Sequence, residues 1–239
     1  MKQLKILGLA LIAIFAFASV VAATASAELG EVKPGLLFLK GVTFPITLKA
    51  TSGTAVLTSA AGEITCTESK SETSFGNEGE ETPAHVTLLN NVTITFTGCT
   101  TEKGAVGCRS ETSGGVKDPK NTILALVDVH FVALLNSSKE LRPGLLFIVL
   151  NSPLLINCGA LKVEVRGAVG GSVEVEQTED VSGGKFVLPT ALKCDTSDAL
   201  CKALLEEKPF EANFGGKFEP ATQTATATAT FSEMVKVDD

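Results

Sequence analysis

The segment Val92-Thr93-Ile94-Thr95-Phe96 alternates apolar and polar side chains without a break, and nothing else in the chain constrains its fold as strongly. In an extended chain successive side chains point to opposite faces, so Val92, Ile94 and Phe96 share one face and the threonines take the other. Short apolar runs separated by Gly, Ser and Asn clusters recur along the sequence. They predict strands at Leu36–Lys40, Phe44–Ala50, Thr54–Ser59, Glu63–Glu68, Val86–Thr97 and Ile123–Leu135. Further strands are predicted at Leu145–Leu150, Lys185–Leu188, Phe210–Phe214 and Thr222–Phe231. Leu161–Arg166 and Ser172–Gln177 are expected to form a hairpin across Gly167–Gly171. In the last strand five threonines face one way, and Gln223, Ala225, Ala227, Ala229 and Phe231 face the other. Such a strand suits a close neighbour or a sheet edge. The expected fold is all-β, an antiparallel β-sandwich or barrel.

One segment departs from this pattern. Ser197 or Asp198 is a good N-cap for the run Ala199–Glu207, and Pro209 stops it, which predicts one short helix near 198–207. Residues 69–84, rich in Ser, Glu and Gly, are expected to form a long exposed loop, and residues 110–120 a second. The acidic spacing in the first loop does not match the Asp-rich loop that calcium favours. Lys33-Pro34-Gly35-Leu36-Leu37-Phe38 recurs in part as Arg142-Pro143-Gly144-Leu145-Leu146-Phe147. Two strands entered through Pro-Gly turns account for this as well as a duplication does.

The first 27 residues carry Lys2 and Lys5, an apolar run from Ile6 to about Val21, and Ala25-Ser26-Ala27. That order predicts a secretory signal peptide at 1–27, cleaved before Glu28, followed by a single domain over 28–239. An uncleaved membrane anchor is the alternative. The expected location is the extracellular space or cell envelope, with no stable membrane insertion after cleavage. The net charge of the 239 residues is −7, and both lysines of the leader leave with it. An acidic chain without a basic run is not a nucleic-acid binder. Trp and Tyr are absent. Sugar-stacking sites and aromatic-rich protein interfaces are therefore disfavoured.

An oxidising compartment makes disulfides of the six cysteines, Cys66, Cys99, Cys108, Cys158, Cys194 and Cys201. Spacing suggests the local pairs Cys99–Cys108 and Cys194–Cys201, which leaves Cys66–Cys158 as a bond across the core. Cys66–Cys99 is the rival staple. No Cys-x-x-Cys knuckle supports a metal site. The candidate catalytic residues are Asp128 and His130, which share one face of Val127-Asp128-Val129-His130-Phe131. An Asp beside a His can orient an imidazole for general-base work or metal binding, but the polar face of an amphipathic strand has the same spacing. No Gly-x-Ser-x-Gly elbow, Walker loop, Gly-x-Gly-x-x-Gly or His-Glu-x-x-His occurs, so no cofactor is expected.

The order of Cys66, Thr93-Ile94-Thr95-Phe96-Thr97-Gly98-Cys99, Cys108, and Cys158 before Val163-Glu164-Val165-Arg166-Gly167 resembles a group of uncharacterised secreted β-rich proteins, present as multiple paralogues in actinobacteria. The resemblance spans Cys66 to Gln177 and implies compartment and fold only. The expected function is an exported structural or binding protein with an envelope or protein partner. The alternatives are a secreted hydrolase using Asp128 and His130, and a β-barrel carrier of an apolar ligand.

Overall fold

The computed structural model describes residues 35–38, 45–75, 85–86, 88–101, 106–111, 117–135, 141–150, 153–174, 181–188, 201–202, 205 and 207–238. They belong to the unit Lys33–Asp239. Strand β1 (Gly35–Phe38) is followed by β2 (Ile46–Ser52), β3 (Ala55–Ser59), β4 (Gly62–Cys66) and β5 (Glu68–Phe75). Next come β6 (His85–Val86), β7 (Leu88–Thr97), β8 (Thr100–Thr101), β9 (Cys108–Glu111) and β10 (Thr122–Leu135). Then follow β11 (Leu141–Val149), β12 (Leu154–Cys158), β13 (Leu161–Arg166) and β14 (Ala168–Glu174). The last are β15 (Val181–Leu188), β16 (Glu211–Asn213) and β17 (Glu219–Asp238).

The fold is nearly all β, and the sheet is antiparallel and curled. Its pairings trace a ring, β2–β5–β7–β10–β11–β14–β15–β17 and back to β2. Of sandwich and barrel, this ring is the barrel arrangement. A second set of pairings joins β3–β4–β8 and β9–β12–β13–β16–β17–β3. The β8 and β9 segments meet through the Thr100–Gly107 bridge and the Cys108 N–H, which donates to the Cys99 carbonyl at 2.8 Å. Hairpins therefore leave the larger ring, enter the smaller one and return. β3 and β4 turn across Ser59–Gly62, and β12 and β13 across Cys158–Leu161.

Strands change ring at bends, and two bends depend on glycine. Gly98 has φ +65°, and a Cβ there would overlap the Thr67 hydroxyl. Gly167 has φ +96°, and a Cβ there would overlap the Pro209 carbonyl. Both positions need the left-handed backbone that glycine adopts without steric cost. The Gly167 bend corrects the expected hairpin across Gly167–Gly171. β13 and β14 are successive segments of one bent strand, and Gly170 and Gly171 sit inside β14 opposite Leu146 and Leu145.

Another expectation changes. Residues 69–75 of the expected loop belong to strand β5, paired with β2 and β7, while 76–84 lie outside the described residues. Of the close neighbour or sheet edge expected for the last strand, β17 has close neighbours, since β15 and β2 flank it along Ala227–Thr230. Of the expected helix at 198–207, Cys201, Lys202, Leu205 and Glu207 have helical backbone, and the remaining positions lie outside the described residues.

The disulfides follow the strand order. Cys66 bonds Cys99 and Cys108 bonds Cys158, with Cα separations of 3.9 and 4.1 Å. These bonds overturn the expected Cys99–Cys108 and Cys66–Cys158 pairs and match the rival staple. The reason is positional. Cys66, Cys99, Cys108 and Cys158 fall in sequence on β4, the β7–β8 bend, β9 and β12, which are successive neighbours in the smaller ring. Cys66 and Cys158 are thus the two ends of a row, and Cys158 is the register partner of Cys108. Cys201 is also disulfide-bonded, and its expected partner Cys194 lies outside the described residues.

Candidate functional site

Alternation places every second side chain of the larger ring inside. On β10 these are Ile123, Ala125, Val127, Val129 and Phe131. Val92, Ile94 and Phe96 enter from β7, and Leu145, Phe147 and Val149 from β11. Together they make a wall of large apolar groups. The opposite wall is small along its middle. β2 supplies Ala50 and Ser52 beside Leu48, β5 Ser69 and Ser71, and β17 Ala225 and Ala227 between Gln223 and Phe231. Between the two walls the side chains leave a cavity of about 150 Å³.

Strand register arranges the small wall in rows. Ser69 lies between Phe96 and Ser52, and Ser52 lies opposite Ala227. In the adjacent row Ser71 lies between Ile94 and Ala50. Ser52 and Ser69 are buried, with hydroxyl oxygens 2.7 Å apart. The Ser52 hydroxyl donates to the Gly53 carbonyl at 3.0 Å, so Ser69 supplies the proton between the two serines. No charged side chain lines the cavity among the described residues.

The Asp128–His130 pair is elsewhere. Both residues sit at even positions of β10, opposite to the lining residues, and neither contributes to the cavity. The Asp128 carboxylate accepts the Asn91 backbone N–H at 2.9 Å. Asn91 has φ +55° and lies at the irregularity where β7 and β10 shift register. Asp128 therefore holds a strand irregularity in place. His130 lies next to an outer apolar cluster of Val132, Leu146, Ile148, Ala168 and Cys201. Burial pushes its pKa below the ordinary value, against the raising effect of Asp128, and the Lys208 charge lowers it further. The two residues share a strand face as the alternation predicts, and neither lines the cavity.

Among the described residues no cluster of His, Cys, Asp or Glu is disposed to hold a metal ion. No helix among them is long and apolar enough to cross a membrane. Sequence reasoning missed the serines of β5. Their signal was a period of two in Ser69, Ser71 and Thr73, hidden because serine inside a strand is indistinguishable in composition from serine in a loop.

The fold and the cavity define a curled antiparallel β-barrel with an apolar interior, stapled by disulfides. No protein-family model, curated protein or solved structure matches the chain.

Proposed function

We propose that this chain is an exported binding protein that holds a small apolar molecule inside its barrel. The cavity of about 150 Å³, walled by aliphatic and phenyl groups, carries this reading. A cavity of about that size with a similar lining takes up a benzene-sized guest. The leader-like first 27 residues and the cysteines support export, as does the resemblance to secreted actinobacterial β-rich proteins. A hydrolase acting through Asp128 and His130 is not favoured, because Asp128 is engaged by the Asn91 N–H and neither side chain borders the cavity. Benzene titrated into the mature protein is expected to shift the methyl resonances of Val127, Val129 and Ile94 saturably. Unchanged interior methyls at benzene saturation would overturn the reading.

A further inference from the structure

The interior is not uniformly apolar, and its polar groups are confined to one wall. Ser52, Ser69 and Ser71 are adjacent inward positions on β2 and β5, facing the large apolar groups of β7, β10 and β11. Two of the three hydroxyls are used within the wall. Ser69 donates to Ser52, and Ser52 donates to the Gly53 carbonyl. Ser71 makes no side-chain hydrogen bond among the described residues, and it lines the cavity. The Ser71 hydroxyl is partly buried and opens on the cavity, where a polar guest can bond to it. Its proton and lone pairs are both free, and the lone pairs of Ser69 beside it also accept.

The lining also restricts charge. With no Lys, Arg or His among its described residues, the cavity offers an anion no counter-charge, and with no Asp or Glu it offers a cation none. Moving an unpaired ion into such a space is far costlier than moving a hydroxyl. The guest is therefore uncharged, and its polar end is one that both donates and accepts.

We infer that the cavity is a site for a neutral amphipathic molecule, an apolar body the size of a benzene ring bearing one hydroxyl, with that hydroxyl docked on Ser71 and Ser69. This rests on the apolar-guest reading above and adds the head group.

Phenol, benzene and benzoate titrated by NMR into the disulfide-intact protein separate the two claims. Benzene binding tests the parent reading, and the ratio of phenol to benzene affinity tests this one. Phenol is expected to bind at least as tightly as benzene, and benzoate not to bind. Ser71→Ala is expected to reduce the phenol-to-benzene ratio by about 3- to 10-fold, the worth of one hydrogen bond. Glu72→Gln, on the exposed face of β5 and outside the lining, is expected to leave the ratio unchanged. If benzene binds and phenol is markedly weaker, the serine site is refuted while the apolar-guest reading stands. An unchanged ratio in Ser71→Ala would also overturn it, and failure of benzene and phenol alike would remove both readings.

Discussion

His130 illustrates how a residue that looks catalytic in sequence acquires a different role from its surroundings. Half-buried beside the Val132 and Leu146 cluster, it is held below its ordinary pKa first by desolvation, then by Lys208, with Asp128 opposing. A depressed value means that the folded state disfavours the imidazolium. The unfolded chain takes up the proton near pH 6.5, before the folded one does. The contribution to stability is therefore present above that pH and is lost as pH falls through the folded value. His130→Gln is expected to unfold less steeply with acid between about pH 7 and pH 5 than the parent chain. Urea midpoints measured across that range for both proteins check this, and parallel curves would contradict it. The same scale shows why the serines escaped notice. Ser52 and Ser71 look like surface residues in any composition count, and only register reveals that they face Ala227 and Ile94.

Among the elements, legibility followed the size of the inward side chains. β7 and β10 were readable because Val92–Phe96 and Val127–Phe131 alternate apolar groups with polar ones. β5 was not, because Glu68-Ser69-Lys70-Ser71-Glu72 puts serine inside and charge outside. β13 and β14 were readable as strands but not as one bent strand, since Gly167 at a bend and Gly170-Gly171 within a ladder together resemble a turn. The cysteines misled for a related reason. Closeness in sequence favoured Cys99–Cys108, whereas the order of strands around the smaller ring pairs each with its outer neighbour. The sequence separations are 33 and 50, so the chain-entropy model assigns each bond a similar effect of about 4 kcal/mol. Cys66→Ala with Cys99→Ala, and Cys108→Ala with Cys158→Ala, are each expected to lower the melting temperature by roughly 10 °C. Calorimetry of the two double variants checks the size, and non-reducing peptide mapping checks the linkages. A large drop for one pair alone would show that the bonds do not act through chain entropy.

Across the whole molecule, the small wall of the barrel has a stability cost. A core whose side chains filled the 150 Å³ would be more stable by about 3–4 kcal/mol, at ~24 cal/mol per Å³. Ala227→Leu directs a larger group into that space from a position flanked by Ser52 and Phe186. It is expected to weaken benzene binding at least about tenfold while the melting temperature holds or rises. Titration with thermal melts decides the matter, and a variant that binds benzene normally would place the guest elsewhere. A different consequence follows from β17, which pairs with β16 and β3 in one ring and with β15 and β2 in the other. A thread that emerges amino-terminus first can form the β3–β4 and β12–β13 hairpins early, since those contacts are local. Neither ring closes until β17 arrives and finds β2 across nearly the whole length of the unit. Until that moment β2 and β15 are both unpaired edges, open to pairing with other chains. The two rings therefore close in one late step, and the interval just before it is when a newly made molecule is most exposed to aggregation and proteolysis.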